Sequence, residues 1–333
     1  MGLKNSQYQE IMRLYEQKQF RSHDILTRRY KEVYEKLPEF RSLEESIGIL
    51  SVQYGKKLLG GDDNAVASLK KELAILRNNK AALLKSAGFP ADYLEPVYEC
   101  PDCKDTGYID GRKCHCFKKA VSKLLYSQSN LSEILSLENF STFSADYYSR
   151  NFIDPKSGRS ARAIIEDAFL TCKDFVRTFG KEHKNLFFYG DVGVGKTFLS
   201  NCIARDLIEA GFSVLYFSAP SLFNILAQHT FDRNNIDAQH MYEFIYDCDL
   251  LIIDDLGTEY TNAFVSSQFF SCINERLLSR RSTVISTNLS LDSLADLYTE
   301  RAFSRITSNY ILLKLIGDDI RIKKKLQNKE EQQ

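Results

Sequence analysis

Eight consecutive residues constrain this chain more than any others: Gly190-Asp191-Val192-Gly193-Val194-Gly195-Lys196-Thr197. They follow the apolar run Leu186 to Tyr189 and open a helical stretch from Phe198 to Ala210. A phosphate-binding loop requires this strand, loop and helix order. The glycines let the backbone curl until its N–H groups face a bound phosphate, and the helix N-terminus adds a favourable dipole. In that reading Lys196 reaches the β and γ phosphates of a nucleotide as a point charge, and Thr197 coordinates Mg²⁺.

From about residue 160 onward short apolar strands alternate with helices. The expected strands are Asn185 to Tyr189, Val214 to Phe217, Leu250 to Ile253, Thr283 to Ser286 and Tyr310 to Leu315. Alternation at this spacing predicts an α/β fold, a parallel sheet with helices on both faces. The chain has 333 residues, which at about 150 residues per domain suggests two domains. Residues 161–333 are expected to form the nucleotide domain. The stretch 138–160, rich in Ser, Asn, Asp and aromatic residues and carrying Asp154-Pro155 and Gly158, is the expected linker. Residues 1–95 are expected to be helical. Within them Val66, Leu69, Leu73, Leu76, Leu83 and Ala87 fall on a and d positions of one heptad register, with Lys80 at the remaining a site. This predicts a helical hairpin or short coiled coil ending at Gly88 and Pro90, packed on its own domain or on a partner.

Composition narrows the function classes. The 44 Lys and Arg are balanced by 44 Asp and Glu, so bulk positive charge does not drive nucleic-acid binding and any such contact must be local. Hydrophobic residues make up 44% of the chain, enough to fill a core. No run is long enough to span a membrane and the start lacks a signal-peptide pattern, so a cytoplasmic protein is expected.

Residues 96–137 hold a cysteine cluster and a following helix, Lys118 to Leu137. Cys100, Cys103, Cys114 and Cys116 form C-x2-C-x10-C-x-C, which in a reducing compartment reads as metal ligands. Four thiolates suit a closed tetrahedral Zn²⁺ site with no open position for chemistry. Gly107 and Gly111 allow the chain to turn back to the metal, and His115 is an alternative ligand to Cys114 or Cys116. Lys104, Arg112, Lys113, Lys118 and Lys119 around the cluster solvate the surface or touch nucleic acid. Cys172, Cys202, Cys248 and Cys272 stand singly and read as buried small hydrophobes.

A second element completes the nucleotide machinery. Leu250 to Ile253 is an apolar strand ending in Asp254 and Asp255. Asp254 is placed to help hold Mg²⁺, and Asp255 to polarise an attacking water. A further strand ends in Ser286-Thr287-Asn288, presenting a polar side chain beside the γ-phosphate. Arg301 and Arg305, four apart on a predicted helix, share a face; one is suited to a neighbouring subunit's nucleotide, the other to a salt bridge with Glu300.

The order of phosphate loop, LLIIDDLG, STN, ERAFSRI and a final GDDIR resembles the AAA+ ATPases of the DnaC/DnaI type, bacterial helicase loaders, and their transposition relative IstB. The resemblance covers roughly residues 138 to 323, including the lead-in ENFSTF. It implies a P-loop NTPase with a five-stranded parallel sheet of order 5-1-4-3-2, preceded by a helical region with a small zinc knuckle. It also implies roles for Asn288 as sensor 1, Arg305 as the trans-acting finger and Arg321 as the sensor 2 arginine. Asp255 stands where many AAA+ proteins carry Glu, which suggests slow hydrolysis suited to a switch. Few residues follow Arg321, so no full helical lid is expected and the nucleotide site is completed by self-association through the ATPase domain. The function implied is loading of a DnaB-type replicative helicase onto single-stranded DNA, with ATP hydrolysis releasing it. The segment Phe217 to Phe231 is aromatic enough for a strand-binding groove but equally suits a core. The alternatives are an IstB-like transposition helper and a nucleotide-gated adaptor with little turnover.

Overall fold

The N-terminal region is helical, and its breaks follow local chemistry. Helix α1 (Asn5–Lys36) stops before Pro38, which becomes the first residue of α2 (Pro38–Leu59); α3 (Ala65–Ser86) follows. α3 closes on Gly88, whose φ of 81° suits glycine. There the Phe89 amide donates to the Leu84 carbonyl at 2.9 Å and the Gly88 amide to Lys85 at 3.1 Å. The computed structural model describes residues 5–59, 65–127, 131–232 and 234–323. Its contacts divide the chain into two units, Met12–Arg112, and Met1–Ile11 together with Lys113–Gln333.

In the first unit α2 and α3 pack along each other as a helical hairpin. The heptad positions Leu69, Leu73, Leu76, Leu83 and Ala87 are partly buried, whereas the Val66 side chain lies outside those described. The core itself is Val33, Phe40, Leu84, Phe89 and Leu94. The charged residue in the stripe is accommodated by a partner: Lys80 Nζ lies 2.6 Å from Glu44 Oε1 and 5.1 Å from the centre of the Phe40 ring. After this unit's loops come two-residue strands, β1 (Tyr108–Ile109) and β2 (Arg112–Lys113), which pair with each other. The expected single helix over 118–137 is two, α4 (His115–Ser127) and α5 (Leu131–Leu137), with 128–130 outside the described residues.

The segment 138–160, expected as a linker, packs on the nucleotide unit. Asn139 closes a capping box with Thr142 on a short 3-10 turn. Phe143 stacks on Phe169 with ring centres 4.2 Å apart, and Tyr148 is buried. Asp154, also buried, pairs with Lys314 at 2.6 Å.

The elements that follow are α6 (Ala161–Thr178), β3 (Leu186–Gly190), α7 (Lys196–Glu209), β4 (Val214–Ser218), α8 (Ala219–Phe231), α9 (Ile236–Asp247), β5 (Leu250–Leu256), α10 (Ala263–Leu278), β6 (Ser282–Thr287), α11 (Leu291–Leu297), α12 (Glu300–Asn309) and β7 (Ile311–Leu315). The five long strands form one parallel sheet of order β4-β5-β6-β3-β7. Numbered within the domain and taken from the other edge, this is the expected 5-1-4-3-2. Strand alternation sorts the core. Leu186, Phe188, Leu250, Ile252 and Val284 face α6 and α7. The intervening Phe187, Leu251, Ile253 and Ile285, equally buried, face the side where α8 and α10 touch the sheet. Phe217 and Phe223 are buried and Phe231 is exposed, so the aromatic stretch 217–231 belongs mostly to the core. Cys172, Cys202, Cys248 and Cys272 are fully buried.

One buried charge ties this second face together. Arg276 on α10 is wholly inaccessible, and its guanidinium donates to the carbonyls of Ile245 and Cys248 at the end of α9, to Ser282 O and to Thr283 Oγ1. Among the described residues no helix is long and apolar enough to cross a membrane.

Candidate nucleotide-binding site

Strand register brings the distant motifs together. Tyr189 is level with Thr287, Gly190 with Leu315, and Ser218 with Asp254. The phosphate loop, the two aspartates, Asn288 and the 316–321 segment therefore all emerge at the carboxyl edge of one sheet, where ligands of open α/β sheets bind.

The loop conformation depends on glycine at two points in particular. A Cβ on Gly190, φ 137°, would collide with the Leu315 carbonyl oxygen of the adjacent strand. Gly195, φ 94°, is the N-cap of α7 and offers no side-chain cap, and a Cβ there would lie 2.5 Å from Tyr148 Oη. The uncapped first-turn amides are free for an anion. The loop is held from outside as well: Tyr148 Oη donates to Val194 O at 2.9 Å, and the Ile320 amide donates to Gly193 O at 3.0 Å.

Lys196 is buried, and its Nζ donates to the loop's own carbonyls, Gly190 O at 2.7 Å and Asp191 O at 2.5 Å. An ammonium has three protons, so one remains for a phosphate oxygen. Burial lowers its pKa, and the charges of Asp255, Asp191 and Asp254 work in the opposite direction.

Asp254 is buried and accepts from three hydroxyls. Thr197 Oγ1 lies 3.1 Å from Oδ2, Tyr216 Oη lies 2.6 Å from Oδ2, and Ser286 Oγ bonds Oδ1. Tyr216 comes from the strand on one side and Ser286 from the strand on the other; the sequence singled out neither for this role. The Thr197 hydroxyl beside an ionisable carboxylate is an oxygen donor set that suits a hard cation such as Mg²⁺.

Asp255 differs from its neighbour in every respect. It sits at φ 55°, where β5 slips register against β6 between Ile253 and Leu256. Its amide donates to Ser286 Oγ at 3.0 Å and its side chain lines the cavity. Burial raises its pKa and the Asp254 charge adds to the rise, while Lys196 and Arg321 oppose it.

A cavity of about 290 Å³ runs from these groups along the loop. Lys196, Thr197, Asp255, Asn288 and Arg321 line it, as do Val192, Gly193 and Gly195. Arg321 follows a turn in which its amide donates to Asp319 Oδ1 at 2.8 Å. The remaining wall comes from the expected linker: Glu138, Thr142, Phe143, Ser144, Tyr147 and Tyr148. Arg305 does not line this cavity; it is exposed on α12, as is Arg301. Residues after 323, where a lid was not expected, lie outside the described residues.

The four cysteines converge separately. The Sγ atoms of Cys100, Cys103, Cys114 and Cys116 lie within 4.8 Å of one another. The Gly107 amide donates to Cys103 Sγ at 3.3 Å, and the buried Asp105 carboxylate accepts from the amides of Glu99 and Cys100 at 2.9 and 2.8 Å. Four close sulfurs on a turn with an N–H aimed at one of them are compatible with zinc. His115 is exposed, and its Nδ1 lies 3.5 Å from Cys114 Sγ. It also falls in an alternative group with Cys100 and Asp102.

A family model described as IstB-like ATP binding protein matches residues 156–328, just over half of the chain. The replicative helicase loader DnaC of Buchnera aphidicola subsp. Baizongia pistaciae is 27% identical over 137 residues, 41% of this chain and 56% of that protein. DnaC of Escherichia coli K12 is 24% identical over 140 residues, 42% and 57% of the two chains. The replicative helicase loader DnaI of Bacillus subtilis is 27% identical over 132 residues, 38% and 40%. The chain thus spans a little over half the length of the DnaC relatives. A crystal structure of the DnaC helicase loader, 25% identical, aligns over 55% of this chain and 99% of that one with a TM-score of 0.44.

Proposed function

The chain belongs to the family of IstB-like ATP-binding proteins, and from that premise we propose that it is an ATP-dependent loader that places a DnaB-type replicative helicase on single-stranded DNA. The observation that carries the reading is the assembly of phosphate loop, paired aspartates, Asn288 and Arg321 at one sheet edge, in a stretch whose relatives are named helicase loaders.

In this proposal ATP brings the transferable phosphoryl group, and a bound Mg²⁺ would supply positive charge to offset that of the phosphate oxygens. The backbone N–H groups of residues 190–197 cradle the phosphates, and Lys196 donates its remaining proton to them. Thr197 and Asp254, adjacent through their hydrogen bond, would hold the metal. Asp255 accepts the proton of the attacking water, a role its raised pKa suits, and Asn288 orients that water. Arg321 meets developing charge within the same subunit. Arg305, exposed and not among the residues lining the cavity of its own chain, serves a neighbouring subunit when ATPase domains 161–333 self-associate, which makes hydrolysis slow and dependent on assembly. The helices of residues 1–95 grip the helicase, and hydrolysis is the release switch. Cys100, Cys103, Cys114 and Cys116 would hold a structural Zn²⁺, which would contribute folding energy to a segment with little core of its own.

The test combines the protein with a hexameric replicative helicase, ATP and circular single-stranded DNA. The expected result is a stable loader and helicase complex and ATP-dependent stimulation of unwinding. No complex and no stimulation would sink the proposal; recruitment of a transposase to duplex DNA instead would favour the transposition role.

A further inference from the structure

The cavity has a polar wall that phosphate chemistry does not need. Glu138, at the end of α5, lines it. One carboxylate oxygen, Oε2, accepts from the Asn201 side-chain amide at 2.6 Å. Asn201 lies in the second turn of α7, five residues beyond Lys196, or about 7 Å further along the helix axis. Phosphates bound at the start of α7 would therefore leave Glu138 beside the far end of the ligand, where Phe143, Tyr147, Tyr148 and Ile320 offer apolar surface for a flat ring.

Asn201 carries a second sign. It is 2% exposed, and its Oδ1 has no hydrogen-bond partner among the described residues. A buried orphaned carbonyl is unfavourable, and turning the amide over would place that oxygen against the Glu138 carboxylate. The amide is thus locked in one orientation in which it fixes Glu138, leaving Oε1 without a donor among the described residues on the wall of the cavity.

We infer that Glu138 is a specificity-determining residue that reads the 6-amino group of adenine, with Asn201 as its positioning residue. The inference rests on the ATP reading above and deepens it. An ionised carboxylate only accepts hydrogen bonds. Adenine presents a donating amino group at position 6, whereas guanine presents an accepting carbonyl there. A site built to accept from the amino group discriminates strongly against analogues that lack it.

The experiment measures affinities of the full chain by displacement of a ribose-labelled fluorescent ATP. The ligands are ATP, GTP and purine riboside triphosphate, which differs from ATP only in lacking the 6-amino group. The wild type is expected to favour ATP over purine riboside triphosphate by about tenfold or more, the range of a hydrogen bond to a charged group. In Glu138→Ala that preference collapses to near unity while the affinity for purine riboside triphosphate stays level. Glu138→Gln can retain the Asn201 contact through its amide carbonyl, so it guards against a folding artefact; it too should lose the preference. A preference unchanged in both variants, or tighter wild-type binding of GTP than of ATP, overturns the inference while leaving nucleotide binding intact. Binding of none of the three ligands overturns the ATP reading itself.

Discussion

Replacing Tyr216 by Phe tests whether the hydroxyls around Asp254 orient it for metal. The phenol sits 2.6 Å from Oδ2, a short bond to a carboxylate that is only 6% exposed. Hydrogen bonds to charged groups contribute about 1.5–3 kcal/mol. The lower end applies here, because Thr197 and Ser286 still donate to the same carboxylate and Tyr216 is partly exposed, so water can enter in its place. About 1.5 kcal/mol corresponds to about a tenfold change. The sign follows from lone-pair geometry. A carboxylate has about four acceptor sites; Tyr216 and Ser286 occupy two from the flanking strands and direct the others toward Thr197. Without the phenol the carboxylate turns more freely and holds the cation less well. Tyr216→Phe should thus raise the Mg²⁺ concentration giving half-maximal ATPase about tenfold, with Mg²⁺-free nucleotide affinity and thermal stability nearly unchanged. An unaltered or lower Mg²⁺ requirement would refute the reasoning.

Four other outcomes follow from the same geometry. Lys196→Ala should abolish measurable ATP binding, whereas Asp255→Asn should bind ATP within about threefold of wild type yet lose about a hundredfold or more in turnover; equilibrium binding and single-turnover hydrolysis separate the two. Because burial and Asp254 raise the Asp255 pKa, turnover should be full above that raised value and fall away as pH drops through it. This acid limb should lie above the ordinary aspartate value of about 4 and vanish from the residual rate of Asp255→Asn. Purified protein should contain one zinc per chain by mass spectrometry of the metal, and Cys103→Ser should lower that content and open the 100–116 segment to proteolysis. Arg276→Met keeps the apolar stem but leaves the carbonyls of Ile245, Cys248 and Ser282 without their shared donor. It should destabilise the nucleotide unit by about 3 kcal/mol in urea titrations, and a loss under about 1 kcal/mol would show that water or neighbouring donors replace it.

The phosphate loop and the paired aspartates were legible in the sequence because their chemistry is local. A backbone that wraps phosphates needs glycine at fixed intervals, and a buried strand that ends in carboxylates announces itself by the contrast between Ile253 and Asp254. Five short apolar runs were enough to give the parallel sheet, whereas its strand order came only with the family resemblance. Tyr216 and Ser286 were not legible in the same way. Each acts on Asp254 only because its strand is registered beside β5, with Ser218 level with Asp254 and Ile285 level with Ile253. Nothing in VLYFS or STVIST distinguishes a hydroxyl that meets a carboxylate from one that caps a strand.

The 138–160 segment shows how composition alone misleads. Ser, Asn and Asp mark linkers, but the same residues build capping boxes and tight turns, and here Asn139 and Ser144 each accept from amides that follow them. The discriminating signal was the aromatic content. Phe140, Phe143, Tyr147 and Tyr148 are costly to leave in water, and all four pack on the core of the nucleotide unit. Tyr148 reaches Val194 from before the sheet, and Ile320 reaches Gly193 from after it. The loop that reads most clearly in the sequence is therefore shaped by two segments that read least clearly. A substitution in either segment that keeps the motif intact, such as Tyr148→Ala, would remove a side chain that both lines the cavity and hydrogen-bonds the loop backbone. Motif residues alone are thus an insufficient guide to which changes will disable this site.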